Sequence, residues 1–198
     1  MGNPFLVFCF CLLLFSCAGV PDSAERLSEV KDRNPVLLGE ITIETNDSFF
    51  SAGKNEAVQV SVYWYPGDNA AALEIPFQYI KFLQYWDKSA REVFFEAFKS
   101  FKKDLEELNF NLSGAKARRA YGSIRGLTEW RSLPVTGAFK AFPYYEFGYH
   151  KAGDAVFFTI IQTDAEEVTF SSMDLESPRI AALFTPAQAE SLAEIFGN

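Results

Sequence analysis

The stretch SAREVFFEAFKSFKKDLEEL, Ser89 to Leu108, sets the expected architecture. At 100° per residue, Val93, Phe94, Ala97, Phe98, Phe101, Leu105 and Leu108 fall within an arc of about 140°. Lys99, Lys102, Lys103, Glu106 and Glu107 lie outside that arc. Ser89 and Glu92 have capping-box spacing, in which each side chain satisfies an amide that the helix start leaves open. Asn109 to Gly114 then supplies the residues that end helices. An aromatic stripe this wide belongs to a core, so the helix is expected to lie on a sheet rather than to line a cofactor groove.

Strands flank the helix on both sides. In Val36 to Asn46, Leu37, Ile41 and Ile43 share one parity, while Glu40, Thr42 and Glu44 share the other, the pattern of a half-buried strand. Ala57 to Tyr65 repeats it, with Val58, Val60, Val62 and Trp64 on one side, and Pro66-Gly67-Asp68-Asn69 turns the chain. Leu73 to Trp86 fits either period, and Pro76 argues against a long central strand there. Past the helix, Tyr121 to Trp130, Phe139 to Lys151 and Asp154 to Thr163 read as strands, the last two joined through Lys151-Ala152-Gly153-Asp154. Tyr145, Phe147 and Tyr149 should point inward; Tyr144, Glu146, Gly148 and His150 should point out. Asp164 to Glu176 is an acidic loop or a short hairpin arm, and Ile180 to Phe184 a final strand. Thr185, Pro186 and Gln188 open a short terminal helix. The expected fold class is α+β: a largely antiparallel sheet packed by one long amphipathic helix and a short C-terminal helix.

The chain starts differently. Phe5 to Phe15 is an unbroken run of Phe, Leu, Val and Cys. Its eleven residues make about 16 Å of helix, roughly half a bilayer core, and so suit a secretory signal rather than a span. Leu14-Phe15-Ser16-Cys17 resembles the lipobox of bacterial lipoproteins, and the bulky Phe15 is similar to the looser spirochaetal form. The resemblance implies a signal peptide over 1–16, acylation of Cys17, and attachment to the cell envelope outside the cytoplasm. Ala18 after the cysteine implies the outer membrane rather than the inner. All three cysteines, Cys9, Cys11 and Cys17, lie in or at the end of this segment, so the body has no disulfide. Two or three acyl chains anchor a protein durably, at about 0.8 kcal/mol per buried methylene. Residues 17–35 read as the lipidated cysteine and a tether, too poor in apolar residues to order, and 36–198 as one globular domain.

The search for chemistry excludes more than it offers. One histidine, His150, and no body cysteine leave no multi-His or thiolate metal site and no cysteine nucleophile. No glycine-rich phosphate loop, dinucleotide fingerprint or G-x-S-x-G elbow occurs. Glu129 beside Trp130 and Glu146 between Tyr145 and Phe147 could form a carboxylate pair, but parity puts Glu146 in water. Lys116, Arg118, Arg119, Arg125 and Arg131 make the one basic concentration in a chain of net charge −8, and read as a solvated face. That charge argues against nucleic acid as a partner. The expectation is therefore a membrane-anchored, non-enzymatic lipoprotein that needs no cofactor or metal and contacts another envelope protein. The alternative is a small-ligand or glycan binder, with Tyr63, Tyr65, Trp130, Tyr144 and Glu146 as the candidate contact residues.

Overall fold

The computed structural model describes residues 27, 29–46, 55–77, 80–132, 138–166, 176–177 and 179–197. The expected signal segment 1–16, Cys17 and residues 18–26 lie outside the described residues, as do Tyr79 and most of the acidic stretch, 167–175. The strands are β1 (Val36–Asn46), β2 (Asn55–Tyr65), β3 (Ala70–Phe77), β4 (Ile80–Trp86), β5 (Gly122–Arg125) and β6 (Leu127–Ser132). Then come β7 (Phe139–Ala141), β8 (Tyr144–Ala152), β9 (Ala155–Gln162), β10 (Ala165–Glu166), β11 (Glu176–Ser177) and β12 (Ile180–Phe184). Helices α1 (Lys88–Glu107), α2 (Ala115–Arg118) and α3 (Pro186–Gly197) complete the chain.

Ten of the strands form one antiparallel sheet in the order β5-β8-β9-β12-β1-β2-β3-β4-β6-β7. Only Gly126 separates β5 from β6, and only Phe142 and Pro143 separate β7 from β8. Their pairings keep one register, Gly122 opposite Phe147 and Thr128 opposite Ala141. The Gly126 N–H donates to Pro143 O at 2.9 Å across the gap. The two strand pairs are thus one interrupted hairpin, which adds to β4 through β6 and to β9 through β8. Because the sheet's two margins belong to the same hairpin, the curved sheet closes on itself. Counting β5 with β6 and β7 with β8, the ten strands make eight staves, each beside its neighbour in sequence. A barrel of about eight strands has an interior just wide enough for side chains to fill.

This overturns the α+β expectation. The chain is mostly β, and its helices close one end of the curved sheet instead of forming a second layer. The physical reason is that a curled sheet covers its own inner face: Ile43, Val60, Val62, Leu73, Ile75, Phe82, Trp86, Phe147, Phe158 and Ile160 all turn into one buried core. Helix α1 adds Phe94, Phe98 and Phe101 at the end where β4 stops and β9 starts. Phe94 meets Phe158 at 5.9 Å and Phe196 of α3 at 5.3 Å, and Phe101 meets Phe158 at 5.4 Å. Leu108, placed in the apolar stripe by its spacing, stands exposed as the left-handed residue that ends the helix (φ 52°).

The start of α1 also differs from its expected form. Asp87, not Ser89, is the cap; its carboxylate accepts from Ala90 N at 2.8 Å. The same carboxylate accepts from Leu27 N at 3.4 Å, so it ties the N-terminal segment to the helix start. Arg91 reaches from the first turn to Asn69 O and Trp86 O, both at 2.9 Å, and lies over the Trp64 ring. The capping box at α3 forms as spaced: Thr185 N donates to Gln188 Oε1 at 2.7 Å, and Gln188 N to Thr185 Oγ1 at 3.3 Å.

The stretch read as a tether is docked over its described part. Val30 is buried on the outer face of the barrel against Tyr65, Ala72, Tyr85 and Leu127. Asp68 accepts from the amides of Lys31 and Asp32, and Asp32 accepts from Gly67 N at 2.8 Å. One well-placed valine and a few hydrogen bonds order a strap that composition alone would leave free.

Two substitutions test this arrangement by chemical denaturation. Phe94→Ala is expected to cost about 3–5 kcal/mol, the range for a large core aromatic. Asp87→Ala should cost about 1 kcal/mol and Ser89→Ala clearly less, since only Asp87 holds a helix amide; the reverse order would return the cap to Ser89.

Candidate functional site

The five residues proposed from sequence do not converge. Trp130 points into the barrel and stacks on Phe139 at 5.6 Å, because its parity is that of Thr128 and Phe82. Tyr63 and Tyr65 lie on the outer face of β2, where Tyr65 is buried beneath the strap and meets Tyr85 edge-on at 5.5 Å. Burial, then the charge of Glu129, pushes the Tyr85 phenol far above its usual range. Of the five, Tyr144 and Glu146 line a cleft of about 840 Å³ on the outside of β8.

The cleft exists because the chain after α1 folds back over the barrel. Helix α2 lies against β8 at Gly148, where a side chain would run into the backbone of Ala117 and Arg118. Tyr149 fastens the same segment from the inner side: its hydroxyl donates to Leu112 O and accepts from Leu112 N, both at 2.7 Å. This overhang buries Glu146, which parity alone assigned to water; the residue is 2% exposed. Glu146 Oε1 accepts from Arg119 Nε at 2.6 Å, and Arg179 Nη2 stands 4.0 Å from Oε2. Burial, then the neighbouring positive charge of Arg118, lowers the pKa of Arg179 from the usual arginine value, with Glu146 and Asp164 acting the other way.

The basic stretch read as a solvated face is therefore divided. Lys116, Arg118 and Arg119 line the cleft, while Arg125 lies over the Phe142 ring in the link between β7 and β8. Arg179, unremarked in the sequence, completes the group from the end of the acidic arm. One signal did point here: a glycine inside a strand, Gly148, marks a close backbone approach.

The remaining chemical candidates stay apart. Glu129 is buried beside Lys140 at 3.2 Å under the strap, so it forms no pair with Glu146 in the cleft. His150 is exposed on the outer face of β8. Among the described residues, no three His, Cys, Asp or Glu side chains are grouped to hold a metal ion.

A family model described as "Uncharacterised Treponema protein" matches residues 35–198, which supports a spirochaetal origin. No curated protein and no solved structure matches the chain.

Gly148→Ala tests how the cleft is built. Its methyl group would meet backbone, not a side chain that can turn aside, so a loss of about 1–3 kcal/mol in unfolding free energy is expected. A change under about 0.5 kcal/mol, the size of an ordinary surface substitution, would mean that α2 is not seated on β8.

Proposed function

Because the chain belongs to this family of Treponema proteins, matched over residues 35–198, we propose that it is a lipid-anchored envelope protein whose barrel contacts another envelope protein. The observation that carries the contact reading is the filled barrel. Phe82, Trp86, Phe147, Phe158 and Ile160 occupy the volume in which a wider or emptier barrel would hold a ligand. Recognition is then a matter of the outer surface. There Val36 and Leu37, 52% and 53% exposed, stand beside the partly exposed Leu38 at the start of β1. A run of three exposed apolar residues next to an irregularity in the β1–β2 register suits a protein contact.

The anchor reading rests on Leu14-Phe15-Ser16-Cys17, a motif whose cysteine would carry the acyl chains. The strap gives it a geometric consequence. From Cys17 to Leu27 the chain has ten residues, which span at most about 35 Å when extended. Leu27 is held to Asp87 at the start of α1. An acylated Cys17 would keep the helix-capped end of the barrel close to the bilayer and leave the opposite end facing away.

Detergent-phase partitioning tests the anchor. The full chain should enter the detergent phase after processing, and Cys17→Ser should stay unprocessed or appear in the aqueous phase. Unchanged processing and partitioning of Cys17→Ser would refute acylation at this residue. A photo-crosslinker at Leu37 in intact cells should give one defined protein adduct that the same group at exposed Lys99 does not; equal labelling at both positions would count against the contact reading.

A further inference from the structure

The cleft on β8 holds a charge arrangement that folding alone does not require. Among the described residues, its lining brings Lys116, Arg118, Arg119 and Arg179 together with two carboxylates, Glu146 and Asp164, so cations exceed anions there by four to two. The whole chain, by contrast, carries a net charge of −8. One buried carboxylate needs a single partner, and Glu146 has Arg119 at 2.6 Å. Arg118, for which no carboxylate partner is found among the described residues, adds a second guanidinium beside Arg119, and the two repel until an anion joins them.

The geometry presents these groups outward. Arg119 gives Glu146 its Nε–H, and its side chain remains 70% exposed, so the outer edge of the guanidinium is turned to the cleft. A guanidinium carries five N–H donors in a planar fork that matches the oxygens of phosphate and carboxylate. Arg118 is held half-buried beside it, because α2 is seated on Gly148. Glu146 thus acts as the buried post that positions Arg119 and lies near Arg179. Tyr144, 52% exposed and two residues away on the same face of β8, supplies a flat apolar surface to the same cleft. The cleft volume of about 840 Å³ exceeds that of a bare oxyanion and lies in the range of small-molecule sites.

We propose that this cleft binds a small ring-bearing organic anion, its phosphate or carboxylate held by Arg118 and Arg119 and its ring laid against Tyr144. This goes beyond the contact reading and stands on a different part of the surface; either can hold without the other.

Calorimetric titration of the full chain in a non-ionic detergent tests it, with glucose 6-phosphate, inorganic phosphate and glucose as probes. Glucose 6-phosphate should bind saturably and more tightly than inorganic phosphate, weaken as salt rises, and leave glucose without measurable binding. Arg118→Gln, which removes no ion pair found among the described residues, should weaken glucose 6-phosphate at least fivefold with the thermal midpoint kept. Lys99→Gln on the far face of α1 should change nothing. Tyr144→Ala should reduce the preference for glucose 6-phosphate over inorganic phosphate and leave phosphate binding as it was. Absence of saturable binding by either anion, equal binding of glucose, or unchanged affinity in Arg118→Gln would overturn the anion site. An unchanged preference in Tyr144→Ala would overturn the assignment of the ring to that side chain.

Discussion

Inside the barrel, side chains from four staves meet in a hydrogen-bonded seam on which its closure depends. Gln84 of β4 donates from Nε2 to Gln162 Oε1 of β9 at 3.1 Å, and Thr128 of β6 donates to the same oxygen at 2.9 Å. Tyr145 of β8 donates to Leu127 O at 2.6 Å, with its oxygen 2.9 Å from that of Thr128. Gln162 passes the chain on to Ser177 of the small β10–β11 arm at 2.8 Å. Each such bond adds only about 0.5–1.5 kcal/mol net, but a buried polar group left without a partner costs about 1–3 kcal/mol. The seam therefore contributes more to specificity than to bulk stability. A slip of one residue in any of the four strands would turn these groups outward and put the wrong set inside. Gln84 Oε1 and Trp86 Nε1, buried without a protein partner beside it, are the places where the match is incomplete.

Around this seam the aromatic residues set how tightly the curved sheet closes. Trp86 stacks on Tyr145 with ring centres 4.9 Å apart, joining β4 to β8 across the interior. Tyr145 in turn covers Gly126, where a side chain would collide with its ring. The glycine that interrupts the hairpin is thus also the residue that leaves room for the Tyr145 ring. Pairs of this kind add about 0.5–1.5 kcal/mol beyond their buried area. The helices extend the same aromatic packing to one end through Phe94, Phe101 and Phe196.

What could be read from sequence was the local pattern. Alternation located β1, β2 and β8 because the side-chain period of a strand is two, and short apolar runs located β9 and β12. Inward Tyr145, Phe147 and Tyr149 and the cap at Thr185 follow from the same local rules. Closure was not legible, since the contact of β4 with β6 and of β1 with β12 is non-local and leaves no periodic mark. Without closure, a long apolar helix stripe is most simply explained as the second layer of an α+β fold, and that inference failed. Burial of Glu146 and Val30 was missed for a related reason: Glu146 lies on an outward face that earlier chain covers, and Val30 belongs to a segment that itself covers such a face. The arginines of the cleft come from two separate stretches, so composition showed a basic run but not a cluster.

The proposed anchored, contact-forming role and the proposed anion cleft both depend on a barrel whose closure fixes the strap on one side of its wall and α2 on another. The most direct test of that closure is a nuclear Overhauser measurement between the side-chain amide of Gln84 and those of Gln162 and the Thr128 methyl. In the closed barrel all three lie together, and cross-peaks from Gln84 to both partners are expected. Cross-peaks from Gln84 to Thr128 without any to Gln162 would contradict it, since β4 and β6 pair directly whereas β4 reaches β9 only if the sheet is closed.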